Sequence, residues 1–292
     1  MTTAYLNGEF LPIEEARISV LDRGFLFGDG VYEVIPAYGG RLFRLGPHLD
    51  RLQRSLDAIR IRNPLDREQW QQVLERLLEE NRAEAGPDND QSVYLQVTRG
   101  VAPRRDHPFP TAVEPTVYAT SSPIAPPDPA IAEKGISAIT LDDIRWQHCH
   151  IKAITLLPNV LLRQQAVDAG VGEAILVRDG KAMEGSASNL FVVKDGVILT
   201  PPVSNQLLPG ITRDLVLELA RRHGMPAREQ DIPESLLKKA DEVWVTSSTR
   251  EIVPVTELDG KAVGDGKPGP VWQKMIGHYR DYKEAVRRGE AS

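Results

Sequence analysis

Lys152 sits inside the run Cys149–Leu157, CHIKAITLL, between Ile151, Ala153 and Ile154, with Leu156 and Leu157 just beyond. A lysine drawn into a dry site loses its proton more readily and becomes a nucleophilic amine able to form an imine with a carbonyl group. The same residues also fit a lysine whose stem lies along a core segment while its head stays wet. Glu184 precedes the turn Gly185-Ser186-Ala187-Ser188-Asn189. A carboxylate there is either a solvated turn residue or a partner for a protonated ring nitrogen through a charge-assisted bond.

Three short turns could take a phosphate. Residues 207–213, LLPGITR, break the chain at Pro209-Gly210 and lead into a helix expected over 214–222, with Thr212 as cap and Asp214 in the first turn. Free N–H groups at such an end suit an anion, although an ordinary capped helix has the same pattern. Thr246-Ser247-Ser248-Thr249 and Gly185–Asn189 are the other two, and each is also simple turn chemistry. There is no Walker loop and no strand–GxGxxG–helix unit. His48 and Arg51 share a helix face beside Leu49 and Leu52, so Arg51 either reaches inward to an anion or lies on the surface. Arg104, Arg105 and His107 lie in a loop, APRRDHPFP, that either grips a carboxylate or is a basic surface. His148, Cys149 and His150 invite a metal reading, but neighbours along a strand point oppositely and no CxxC or HExxH partner exists, so no metal is expected.

The elements that must carry these residues alternate between strand and helix patterns. Ala4–Leu6 and Glu9–Leu11 flank Asn7-Gly8, and Val31–Ala37 and Leu42–Leu45 flank Gly39-Gly40, which predicts two hairpins. Helices are expected after Pro47, with Leu49, Leu52, Leu56 and Ile59 on one face, and after Asp66, with Trp70, Val73, Leu74, Leu77 and Leu78 inward. Strands follow near 93–98 and 116–120. The segment SSPIAPPDPA, 121–130, is proline-rich and is expected to be a stiff, extended linker without helix or strand. Beyond it come strands near 136–140, 173–177, 190–193 and 243–246, a helix over 159–169, and a last helix using Trp272, Met275, Ile276 and Tyr279. The expected domains are a smaller one over 1–122, a linker over 123–130, and a larger one over 131–292 that carries Lys152.

The chain of 292 residues is long enough for two cores, and its 41% hydrophobic and 26% charged content is that of a globular protein in water. A formal charge of −6 argues against nucleic-acid binding. No apolar run reaches membrane-spanning length, the polar residues 1–8 do not read as a signal peptide, and the single cysteine fits a reducing cytoplasm.

In this order and spacing, the motifs DRGFLFGDGVYEV (22–34), PHLDRL (47–52), LQVTRGVAPR (95–104), DIRWQHCHIKAITLLPNVL (143–161), MEGSASNLF (183–191), LLPGITRD (207–214) and VTSSTREIVPV (245–255) resemble the class IV, or fold type IV, aminotransferases, and within them the branch that acts on D-amino acids. The resemblance spans nearly the whole chain. It implies a mixed α/β, two-domain fold type IV enzyme with pyridoxal 5'-phosphate between the domains. By it, Lys152 is the lysine that bonds the cofactor and Glu184 the carboxylate on its ring nitrogen. Leu208 packs on the ring, and Arg51, Ile211, Thr212 and Ser248 hold the phosphate, Ile211 through its backbone. Tyr32 stands beside the substrate carboxylate, which an R-x-H pair also grips. Here that loop is one residue longer, so Arg105 with His107 is the expected pair and Arg104 the alternative.

The implied reaction is transamination between D-amino acids and 2-oxo acids, D-alanine and 2-oxoglutarate giving pyruvate and D-glutamate. The resemblance also implies a cytoplasmic homodimer whose carboxylate grip is completed across the subunit interface, with small-molecule partners and neither nucleic acid nor membrane. Alternatives on the same fold are a branched-chain L-amino-acid aminotransferase, 4-amino-4-deoxychorismate lyase and an (R)-amine transaminase. A binding protein without cofactor is the alternative from another class, and it would be expected to lack Lys152 or Glu184.

Overall fold

A computed structural model describes residues 2–291; residues 1 and 292, the outer ends of the expected domains, lie outside the described residues. The chain divides into two compact units. The first holds Met1–Ala125, Ile151–Thr155 and Lys283–Ser292, and the second holds Pro126–His150 and Leu156–Tyr282.

The first unit is built on six antiparallel strands: β1 (Thr3–Leu6), β2 (Glu9–Pro12), β3 (Gly30–Tyr38), β4 (Arg41–Leu42), β5 (Gln91–Thr98) and β6 (Thr116–Pro123), in the order β2-β1-β6-β5-β3-β4. Asn7-Gly8 closes the first hairpin with both residues at positive φ, as a type I′ turn requires, and Leu6 faces Glu9. The second hairpin has a short arm, because the chain turns into a helix at Leu45. Three helices join the sheet: α1 (Arg23–Phe27), α2 (Leu45–Ala58) and α3 (Arg67–Glu80), the last started by an Asp66–Gln69 capping box. Leu49, Leu52 and Leu56 of α2 and Trp70, Leu74 and Leu77 of α3 bury against Val31, Ile35, Val93, Leu95 and Val97, each side chain contributing about 1.5–3 kcal/mol. The opposite sheet face carries Tyr32 and Tyr94.

Lys152 belongs to this unit, whereas the sequence reading assigned it to the larger C-terminal domain. Its segment pairs with the start of β3: Tyr32 N–H donates to the Lys152 carbonyl at 3.0 Å, Ile154 N–H donates to the Gly30 carbonyl at 3.1 Å, and Ala153 bridges Val31. Backbone pairing and the docking of Ile151 on the core outweigh sequence proximity to the second unit.

In the second unit the strands are β7 (Ile136–Asp142), β8 (Glu173–Arg178), β9 (Lys181–Gly185), β10 (Asn189–Lys194), β11 (Val197–Thr200), β12 (Ala227–Glu229), β13 (Ile232–Pro233), β14 (Glu242–Ser247), β15 (Glu251–Leu258) and β16 (Lys261–Ala262). They run in the order β12-β11-β10-β14-β15-β7-β8-β9-β13, and an extra pairing of β9 with β10, Glu184 opposite Asn189, closes the middle of the sheet on itself. Leu190, Val192, Val243, Val245, Val253 and Val255 fill that core. The helices are α4 (Pro129–Lys134), α5 (Leu157–Asp168), α6 (Ile211–Arg222), α7 (Glu234–Leu237) and α8 (Pro270–Arg288), which crosses into the first unit.

The proline-rich segment, expected to be a stiff, extended linker, carries regular structure at both ends. β6 runs on to Pro123, and α4 begins at Pro129, where Asp128 caps Ala130 N–H. Proline is tolerated at a first helical position because its missing N–H has no helical partner there. Among the described residues no helix is long and apolar enough to cross a membrane.

Candidate active site

In the first unit the lysine amine stands on the sheet face that carries Tyr32. Lys152 is half-buried, its Nζ lies 4.1 Å from the centre of the Tyr32 ring, and its backbone N–H donates to Ser55 Oγ of α2 at 3.2 Å. Tyr32 stacks on Tyr94, with ring centres 5.8 Å apart. Burial, with Tyr32 and Tyr118 nearby, pushes the Tyr94 hydroxyl up to about 12, so it stays protonated and donates to Gln96 Oε1 at 2.7 Å.

On the helix-facing side, strand alternation places Glu33 between Val31 and Ile35 with no exposure. A carboxylate there needs partners, and α2 supplies them. Arg51 Nε donates to Glu33 Oε1 at 2.8 Å, Arg51 Nη2 donates to Oε2 at 2.7 Å, and His48 Nδ1 lies 2.8 Å from Oε2. Burial opposes the Glu33 charge, yet Arg51 and His48 outweigh it and hold the carboxyl far below its ordinary range. Arg51 is therefore an inward residue of α2 and not a surface one.

The expected carboxylate loop is exposed. Arg105 lies over the Phe27 ring at 4.8 Å and the His107 ring lies 5.5 Å from it, so both members of the pair meet on one aromatic side chain. Arg104 is exposed on the same loop.

In the second unit, Glu184 is buried at the end of β9. Asn189 Nδ2 donates to its Oε2 at 3.0 Å, Leu208 N–H donates to Oε2 at 3.1 Å, and Arg145 forms an ion pair with Oε1. Arg145 is held in turn by Asp143, with Nε–Oδ1 and Nη2–Oδ2 distances of 2.8 Å. Burial raises the Glu184 carboxyl against the pull of Arg145 and the Leu208 N–H. Burial also works against the Arg145 charge, but Asp143 and Glu184 prevail and strengthen its hold on its proton. Asn189 ties the two parts together, since the same Nδ2 donates to the Leu208 carbonyl at 2.8 Å.

Helix α6 begins at Ile211, three residues earlier than expected. Its N-cap is Gly210, with no side-chain cap, so Thr212 is a first-turn residue and not the cap. The N–H groups of Ile211 and Thr212 thus have no intrahelical partner. Gly210 is required there, because a Cβ would lie 1.8 Å from Asn189 Oδ1. Thr246 of β14, opposite Asn189 of β10, has a buried Oγ1 without a hydrogen-bond partner among the described residues, and Ser248 is half-buried two residues on. The Gly185–Asn189 turn does not join this set. Ser186 Oγ donates to Glu173 Oε1 at 2.5 Å and Ser188 Oγ donates to Oε2 at 2.9 Å, so a buried carboxylate occupies both hydroxyls. An anion matches what remains: uncapped N–H groups at the start of α6 and the unpaired Thr246 hydroxyl near the end of β14.

Residues 30–258 match the Amino-transferase class IV family. The chain belongs to that family. A D-alanine aminotransferase of Staphylococcus haemolyticus is 41% identical over 286 residues, which cover 98% of this chain and 99% of that protein. One of Bacillus licheniformis is 43% identical over 269 residues, covering 92% and 93%. Among solved structures, a T.th. branched-chain amino acid aminotransferase with pyridoxamine 5'-phosphate has a TM-score of 0.90 at 28% identity, covering 99% of this chain and 96% of that one.

For a class IV aminotransferase chain, the sequence reading missed Glu33, Asp143 and Arg145. Strand alternation marks Glu33 as buried and so in need of a cation. Asp143 and Arg145 carry no comparable signal, because residues 143–150 are outside any strand.

Proposed function

We propose that this protein is a pyridoxal-phosphate-dependent D-amino-acid transaminase, taking the amino group of D-alanine to 2-oxoglutarate and yielding pyruvate and D-glutamate. The observation that carries the reading is the Lys152 amine fixed 4.1 Å over the Tyr32 ring, on a segment whose backbone is bonded to β3. The residues fit the cofactor: the orphaned Thr246 hydroxyl and the uncapped start of α6 suit its phosphate, and buried Glu184 suits its ring nitrogen. When bound, pyridoxal phosphate supplies an aldehyde that bonds an amine and a ring that takes up the electron pair left by a departing α-proton.

Lys152 would hold the cofactor through its Nζ amine, and that amine would also take and return the α-proton of the substrate. Glu184 would hold the ring nitrogen and keep a proton on it, and Leu208 would lie against the ring. The residues that would hold the phosphate are Arg51, fixed by Glu33 and His48, and Ile211, Thr212 and Ser248. Tyr32, Arg105 and His107 take the substrate carboxylate, with Arg104 as the alternative to Arg105. The relatives that are 41–43% identical and the Arg105-Asp106-His107 loop favour the D-amino-acid reading. The structural likeness at TM-score 0.90 favours a branched-chain L-amino-acid aminotransferase as the second reading.

A cytoplasmic homodimer completes the proposal. Ile18, Val20, Leu21, Phe25 and Val101 are 38–69% exposed, and Leu21 and Val101 lie together where Asp22 bridges Val101. An apolar surface of this kind suits a second copy of the chain.

Purified protein incubated with pyridoxal phosphate is expected to show a visible absorbance band that D-alanine shifts and L-alanine and L-leucine do not. Lys152→Ala should lose both band and turnover. A band moved by L-leucine alone would select the second reading, and a colourless wild-type protein would end both.

A further inference from the structure

Arg105 and His107 lie on an exposed loop outside any helix or strand, so their placement must come from what anchors the loop. Its anchor is Arg23. This side chain is 4% exposed and its fork spans two consecutive carbonyls: Nη1 donates to Asp106 O at 2.6 Å and Nη2 donates to His107 O at 3.1 Å. Its Nε donates to Asp29 Oδ2 at 2.8 Å, and its guanidinium lies 4.7 Å over the same Phe27 ring that meets Arg105 and His107.

The base of this anchor is rigid. Asp29 also takes Arg99, at 2.7 and 3.0 Å, and Arg99 in turn donates to the carbonyls of Ile59 and Arg60. Burial pushes the Asp29 carboxyl up, and the two guanidiniums outweigh it and keep it ionised. Asp22 caps α1 through Gly24 N–H at 2.7 Å and accepts the hydroxyls of Thr98 and Thr116, which fastens α1 to β5 and β6. Gly28 ends α1 at φ +65°, where a Cβ would lie 2.4 Å from Thr155 Cγ2. A planar fork with several donors in fixed geometry can hold two successive carbonyls at once, and a lysine ammonium is poorly suited to that task.

We propose that Arg23 is a positioning residue for the carboxylate grip: through the Asp106 and His107 carbonyls and the Phe27 ring it sets where Arg105 and His107 stand. This rests on the assignment of Arg105 and His107 made above. In the proposed homodimer Arg23 acts on the substrate bound by the partner subunit.

Arg23→Lys keeps the charge next to Asp29 and loses the two-carbonyl fork. It is expected to raise KM for D-alanine about tenfold while kcat stays within about threefold, the pattern of lost uniform binding. The cofactor band, and the rate at which hydroxylamine bleaches it, should not change, since hydroxylamine needs no carboxylate grip. Arg105→Ala and His107→Ala are measured in parallel. If neither raises KM, the grip assignment itself has failed. If they raise it and Arg23→Lys does not, only the role of Arg23 is overturned. Should Arg23→Lys fold poorly, Phe27→Leu spares the Arg23 hydrogen bonds and is expected to raise KM about threefold; an unchanged KM there overturns the proposal. Co-expression of Arg23→Lys with Lys152→Ala tests the action in trans. Mixed dimers have one live site, served by an intact loop, and should return to wild-type KM. Retention of the raised KM overturns the trans assignment.

Discussion

Glu33 grips Arg51 with both carboxylate oxygens, and neither side chain reaches solvent, with exposures of 0% and 3%. A pair this dry adds little net stability while both partners are present, yet removing one is costly because the other charge is left buried and unpaired. Glu33→Gln keeps the shape but leaves Arg51 charged and buried. It is expected to lower unfolding free energy by about 3–5 kcal/mol and to weaken pyridoxal phosphate retention. Urea unfolding and dialysis against cofactor-free buffer measure the two effects, and wild-type behaviour in both would remove Glu33 from the phosphate machinery.

His48 makes stability depend on acid. Burial holds its ring below the ordinary imidazole value, against the pull of Glu33. The unfolded chain takes up a proton near pH ~6.5 that the folded chain resists, so this contribution is complete above that pH and is lost as pH falls below it. The slope for one proton reaches at most about 1.4 kcal/mol per pH unit. His278, lowered by burial and by His223, adds a slope of the same sign. The readout is therefore the difference between wild type and His48→Gln in urea unfolding between pH about 5 and about 6.5. Parallel curves would show that His48 is not the resisting group.

Lys152 and Glu184 stand out in the sequence because each type is out of place where it stands, an amine among apolar residues and an acid before a tight turn. The contacts that hold them were not. Glu33 finds its partners 15 and 18 residues away on α2, and strand parity identifies a buried acid without naming its cation. Hydroxyl-rich turns look alike whether an external anion or an internal carboxylate takes them, so Ser186 and Ser188 resembled Ser248 until Glu173 was placed. The start of α6 was misjudged because Thr212 caps well in general, while the approach of Asn189 admits only glycine one step before the helix. The assignment of Lys152 to the larger domain followed chain order, which edge pairing with β3 overrode.

Arg145 stands between Asp143 and Glu184, and its loss should fall mainly on Glu184, because Arg178 lies 3.0 Å from Asp143 and remains its partner. In Arg145→Met the burial that already raises the Glu184 carboxyl goes unopposed by this cation, so the acid limb of the kcat profile should move to higher pH. A kcat loss of about tenfold or more is expected, with a much smaller change in KM for D-alanine. Arg145→Lys should recover part of it. An unmoved pH profile would show that Arg145 serves only the packing of residues 143–150.

Gly210→Ala tests the junction between buried Glu184 and the start of α6, the proposed ring-nitrogen acid and part of the proposed phosphate site. The new methyl would lie 1.8 Å from Asn189 Oδ1, and Asn189 is the residue whose Nδ2 serves both Glu184 and the Leu208 carbonyl. Relief requires Asn189 or the start of α6 to move, at a cost of about 1–3 kcal/mol. Faster loss of pyridoxal phosphate is expected with it, because the uncapped N–H groups move as well. Gly277→Ala in α8 is the control: it meets nothing within 4 Å, and it should stabilise the protein by about 0.5–1 kcal/mol through reduced unfolded-state freedom. If the two variants retain cofactor equally well, the Asn189 contact does not govern the phosphate end of the site.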